Sequence, residues 1–127
     1  MIRPKLLMFD LDGTLVDSLQ DIATSANLTR THFGLPPLPP AQIIALVGDG
    51  SDALVRAVVP VPPERHPEAL AVLLRSYDAH LLDTTRLMPG TAAMLRRYED
   101  RTLAVVTNKL QRLSERILSE LGVRPSF

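Results

Sequence analysis

The sequence predicts an α/β fold in which two parallel strands frame a helical insert. Two short unbroken apolar runs, Leu6–Phe9 and Leu103–Val106, read as strands of a parallel sheet, buried on both faces. Nearly every apolar residue between them recurs at helical spacing. Each run ends abruptly in polar groups, Asp10 and Asp12 after the first, Thr107 and Asn108 after the second.

Taken in order, Leu6–Phe9 is the first strand, and Gly13 turns the chain at once. Ser18 and Asp21 form an S-x-x-D helix start, followed by Leu19, Ile22, Ala23, Ala26 and Phe33 on one face and Gly34 as the stop. The stiff connector LPPLPP (Leu35–Pro40) precedes a short helix over Ala41–Val47, broken by the GDG of Gly48–Gly50. Ser51 caps a helix with Leu54, Val55 and Val58 on one face, and PVPPERHP (Pro60–Pro67) is a second connector. Leu70, Leu73, Leu74, Tyr77 and Leu81 then mark a longer helix. Pro89–Thr91 opens another, with Met94, Leu95 and Tyr98. After the second strand, Leu113, Ile117, Leu118 and Leu121 make a last stripe, closed by Gly122. Two strands joined by a crossover seed a parallel sheet without completing one, and a third strand is expected just where Phe127 ends the sequence. The domains expected are a partial α/β core over 1–17 and 88–127 and a helical cap over 18–87.

The composition narrows the function classes. Over 127 residues, 46% hydrophobic and 22% charged residues describe a globular chain with a core of its own. Fourteen basic residues balance fourteen acidic ones, so no net field draws nucleic acid or an anionic membrane. With zero cysteines there is no disulfide and no thiolate zinc site. Arg3 and Lys5 precede an apolar run too short for a signal peptide, no run reaches a membrane span, and a cytoplasmic protein is expected. His32, His66 and His80 lack ligand spacing and are expected at the surface.

In open α/β sheets, ligands bind beyond the carboxyl ends of the strands. If the two strands are neighbours, Asp10, Asp12, Thr107 and Asn108 converge there. Two acids in different environments can divide the roles of nucleophile and general acid/base, and a carboxylate nucleophile suits phosphoryl transfer. Gly13 and Thr14 would offer backbone N–H groups as a phosphate nest, while Thr107 and Asn108 hold the remaining oxygens. The hard oxygens of Asp10 and of the Asp12 backbone suit Mg²⁺. Lys109 is placed at the rim.

FDLDGTLVDS strongly resembles the first motif, D-x-D-G-T, of the haloacid dehalogenase-like hydrolase superfamily, and LAVVTNK resembles its second. The spacing between them is similar to that of members with a helical cap inserted after the first motif. VGDGSDALVRAV, LMPGTAAMLRRY and the TNK-helix-LGV ending look most like phosphoglycolate phosphatases. The resemblance implies the N-terminal part of a Rossmann-like parallel sheet with an inserted helical cap. It further implies a Mg²⁺-dependent phosphatase acting on a small phosphorylated metabolite, with 2-phosphoglycolate the leading substrate. Asp10 would be the nucleophile and a metal ligand, and Asp12 the acid/base with its carbonyl on the metal. Thr107, Asn108 and Lys109 would bind the phosphoryl group, and Gly48, Asp49 and Gly50 would face the substrate from the cap. The family's third-motif lysine and fourth-motif acids are expected downstream, and Lys109, which directly follows the second motif, is not counted as that lysine. The alternatives are an incomplete, non-catalytic fragment of such an enzyme, and a phosphomutase or other hydrolase of the same superfamily.

Overall fold

The computed structural model describes residues 1–127. The elements are β1 (Leu6–Phe9), β2 (Val16–Asp17), α1 (Leu19–His32), α2 (Pro40–Ile44), α3 (Ser51–Val58), α4 (His66–His80), β3 (Arg86–Leu87), α5 (Thr91–Arg97), β4 (Thr102–Val105) and α6 (Gln111–Glu120). They fall into two compact units, one of Met1–Asp17 with Arg86–Phe127, the other of Ser18–Thr85.

In the strand unit, β1 and β4 pair in parallel, with Leu6 opposite Thr102 and Phe9 opposite Val105. Val106 N–H donates to the Phe9 carbonyl at 2.8 Å, carrying the ladder one step past β4. A second, antiparallel pair sets Val16 opposite Leu87 and Asp17 opposite Arg86. Arg86 and Leu87 therefore pack with the strand unit, two residues short of where the cap was expected to end. The Leu15 carbonyl beside this pair accepts from Met88 N–H at 2.9 Å and from the Thr91 hydroxyl at 3.0 Å.

The last helical stripe forms as its spacing predicts. Leu113 and Ile117 of α6 are fully buried, each contributing roughly 2–3 kcal/mol relative to exposure. The strands differ from expectation. Leu6 is 48% exposed, Met8 66% and Val106 60%. Alternation along a strand sends every second side chain to the opposite face, and on that face these 127 residues supply no covering layer for Leu6 and Met8.

In the helical unit, α1 packs chiefly on α4 and also on α2, and α3 packs on α4. Ile22, Ala23, Ala26, Val55, Val58, Leu73 and Tyr77 form its core as the periodicity suggests. The α4 stripe is rotated slightly: Ala69 and Val72 are buried, and Leu70 and Leu74 only half-buried. Helix α4 starts inside the second proline connector, because Pro67 in a first turn forfeits no helical hydrogen bond. Ser51 opens α3, but Gly50 (φ 92°) takes the cap position.

Polar burial is what periodicity missed. Ser25 and Thr29 are fully buried in α1, their hydroxyls donating to the carbonyls of Asp21 at 2.9 Å and Ser25 at 2.8 Å. Asn27 both donates to and accepts from the Leu38 backbone at 2.9 Å. Buried Arg30 donates to the carbonyls of Pro36 and Val58. Prolines have no N–H, so the connector's free carbonyls are fastened by side chains of α1. The Ser18–Asp21 capping pattern does not form as read. Ser18 makes no side-chain cap bond, and the Asp21 carboxylate turns inward to Thr84 and Thr85.

Candidate functional site

Asp10 follows β1 directly and is exposed at the strand end. Its Oδ1 accepts the Leu11 N–H at 2.7 Å, fixing the carboxylate over its own turn. Leu11 and Leu15 are buried at 0% and 2% exposure and anchor this turn from below. Thr14 and Leu15 N–H both donate to the Leu11 carbonyl, at 3.1 and 3.0 Å, and Gly13 N–H donates to the Val16 carbonyl at 2.8 Å. Gly13 sits at φ 77°, a conformation that lets the chain reverse here without a Cβ penalty. The expected phosphate nest is therefore not assembled, because the N–H groups of Gly13 and Thr14 are engaged in closing the turn. Both residues remain exposed beside Asp12.

The bond from Val106 to Phe9 brings the end of β4 alongside the end of β1. Asp10, Asp12, Thr107, Asn108 and Lys109 thus lie at the same end of two adjacent parallel strands. The Thr107 hydroxyl accepts the Lys109 N–H at 3.1 Å, a local turn that leaves Asn108 exposed. Lys109 is not at the rim. Its side chain is only 6% exposed, and Nζ lies 3.4 Å from Oδ1 of Asp12, itself 15% exposed. Burial pushes the Lys109 ammonium below its ordinary pKa, and the Asp12 carboxylate opposes that shift without cancelling it. An open groove of about 490 Å³ continues from Thr107 and Lys109 along β4, past Ser114 and Leu118 to Phe127.

The remaining candidates lie elsewhere. Gly48, Asp49 and Gly50 form the turn between α2 and α3 in the helical unit, with Gly48 at φ 145° and Asp49 exposed. None of the histidines belongs to the strand-end cluster. His80 Nδ1 pairs with Asp83 at 2.6 Å on the surface, whereas His66, expected on the surface, is half-buried with an unpartnered Nδ1. No group of three or more acidic or histidine side chains gathers to hold a metal. The Asp10 carboxylate and the Asp12 carbonyl are nevertheless hard oxygen donors of the kind Mg²⁺ accepts. That ion keeps several waters and takes phosphate oxygens to complete its shell, so the residues fit it in kind.

Residues 7–127 match the family described as haloacid dehalogenase-like hydrolase. The chain is 41% identical over 133 residues to the phosphoglycolate phosphatase of Chromobacterium violaceum, covering 97% of this chain and 59% of that one. Among solved structures it resembles a predicted phosphoglycolate phosphatase from Haemophilus somnus, with TM-score 0.87, 29% identity, and coverage of 97% and 60%. It also resembles the Mycobacterium tuberculosis Protein Tyrosine Kinase A, with TM-score 0.83, 31% identity, and coverage of 98% and 57%. This chain spans about three fifths of the length of each. No helix is long and apolar enough to cross a membrane.

Proposed function

The chain belongs to the haloacid dehalogenase-like hydrolase family, and from that premise we propose that it hydrolyses a small phosphate monoester through an aspartyl-phosphate. The observation that supports this most is the parallel register of β1 and β4. It sets Asp10 and Asp12 beside Thr107 and Lys109 at the strand ends, where α/β folds bind ligands.

Asp10 is the nucleophile. With Oδ1 held by Leu11 N–H, Oδ2 is the oxygen offered to phosphorus. As the new P–O bond forms, the bond to the leaving alkoxide breaks, and Asp12 donates the proton that alkoxide needs. In the second half Asp12 takes a proton from water, the water oxygen bonds to phosphorus, and phosphate leaves Asp10 as a free carboxylate. The proton that Asp12 first hands over enters with the phosphate monoanion. Thr107 and Asn108 hold the transferring phosphoryl oxygens. Mg²⁺, held by the Asp10 carboxylate and the Asp12 carbonyl, would supply positive charge between two anions.

The substrate class is a small phosphorylated metabolite. The similarity to the Chromobacterium violaceum enzyme favours 2-phosphoglycolate, with glycolate as the product. The test is release of inorganic phosphate from a panel of phosphate monoesters with Mg²⁺, including a phosphosugar and phosphotyrosine. Preferential turnover of 2-phosphoglycolate supports the reading; no release from any ester overturns it. A non-catalytic chain is the second reading, favoured by the lack of a third acidic group near Asp10, and that null result would select it.

A further inference from the structure

We infer that Lys109 is a positioning residue for Asp12, holding its carboxylate in one orientation at the strand ends. The inference rests on the phosphatase reading for its catalytic consequence, but the pairing itself is a separate matter of geometry. Lysine side chains are seldom buried, and one that is needs a paired anion to offset the lost hydration. The Lys109 side chain is 6% exposed and its ammonium lies 3.4 Å from Asp12 Oδ1.

The backbone imposes this placement from both sides. Upstream, the Thr107 hydroxyl takes the Lys109 N–H and turns the chain back on itself. Downstream, the Leu110 carbonyl accepts from Leu113 N–H at 3.1 Å and from Ser114 N–H at 3.0 Å, and also from the Ser114 hydroxyl at 3.0 Å. Lys109 is thereby locked between the loop and the first turn of α6, with its stem directed inward. A residue meant only to meet incoming substrate gains nothing from such burial, and neighbouring Asn108, which is exposed, suits that task better. Asp12, in turn, is fixed through its backbone by a bridge to Val16. The ion pair restrains the remaining freedom, that of its side chain. General acid/base work depends on that restraint, since a carboxylate that swings away loses reach to the proton.

The chain contains only two lysines, Lys5 and Lys109, and Lys5 is exposed. Competitive amine labelling read by mass spectrometry therefore has an internal reference. In the native chain Lys109 should label about tenfold more slowly than Lys5, and Asp12→Asn should raise the Lys109 rate about fivefold while leaving Lys5 unchanged. Equal rates for the two lysines, or no response to Asp12→Asn, overturn the pairing. On a phosphate ester the enzyme turns over, Lys109→Met should lower kcat roughly 10- to 100-fold with KM within about twofold, and Lys109→Arg should restore part of kcat. A raised KM with unchanged kcat would make Lys109 a substrate contact and overturn the positioning role. Should Lys109→Met fail to fold, Lys109→Arg and the labelling still decide. A wild-type chain without turnover sinks the phosphatase reading, and the labelling then decides the pairing alone.

Discussion

Thr85 gives Asp21 both its backbone N–H, at 2.8 Å, and its hydroxyl, at 2.7 Å, across sixty-four positions of sequence. Thr84 adds its own N–H and hydroxyl, so a carboxylate that is 2% exposed is saturated with donors. The contact ties the start of α1 to the last residues of the helical unit. Asp21→Ala strands those donors in a buried site and should cost about 2–4 kcal/mol, while Asp21→Asn, which turns one acceptor into a donor, should cost about 2 kcal/mol. Denaturant melts of the three proteins check this, and a midpoint that does not move in Asp21→Ala would count against it.

Asp10→Asn keeps the side chain's shape and removes its nucleophilic charge. Because Asp10 is exposed, folding should be unaffected, and turnover should fall by about three orders of magnitude or more. Aspartyl-phosphate captured with a phosphate mimic should map to this residue. Near-normal turnover in the variant would remove Asp10 from the role.

The open sheet face should make the 127-residue chain associate. Leu6, Met8 and Val106 place apolar surface at the two strands in adjacent positions, and surface of that kind drives association. Sedimentation should show mass rising with concentration, and Met8→Lys should reduce it. The same chain should turn over substrate slowly, having no third acidic group near Asp10. A monodisperse, fast enzyme would contradict both expectations.

Gly48 occupies φ 145° with open space where a Cβ would stand, so Gly48→Ala meets backbone strain rather than a clash. A stability cost of about 1 kcal/mol is expected. If the Gly48–Gly50 turn selects the ester, the variant should change the ranking of substrates and leave the Mg²⁺ requirement untouched. The reverse pattern would make the turn a plain connector.

Arg124 grips Glu115 with two nitrogens, Nη2 at 3.2 Å from Oε1 and Nε on Oε2. That hydrogen-bonded pair holds the Glu115 carboxyl below its ordinary range. A depressed carboxylate stabilises the fold above the unfolded pKa, and the contribution is lost as pH falls through the folded one. The Glu115 side-chain carbon should therefore titrate below the ordinary glutamate range by NMR, and Arg124→Met should bring it back toward that range. An unchanged midpoint in Arg124→Met would assign the shift to something else.

Much of the site was legible because its chemistry is local. Asp10, Asp12 and Gly13 follow one apolar run and Thr107 follows another, so a strand-end cluster needs only that the two runs pair. The helical stripes were equally legible, since a period of 3.6 shows itself without knowledge of the partner. Polar burial was not. Asp21 reads as a capping acid and Lys109 as a rim residue, because each is judged by its own hydration cost until its partner is known.

By itself the sequence determined the helical stripes, the frame of β1 and β4 with its insert, and the groups at the strand ends. Each of these depends on neighbours a few residues away. Tertiary structure alone decided that Val16–Asp17 and Arg86–Leu87 pair as strands. It decided that Leu6 and Met8 face outward, and that Lys109 folds inward to Asp12. A donor, a face or a charge is assigned by whichever partner lies nearest in space, and that partner is 63 residues away for Asp21 and Thr84. No local pattern encodes a distance of that kind.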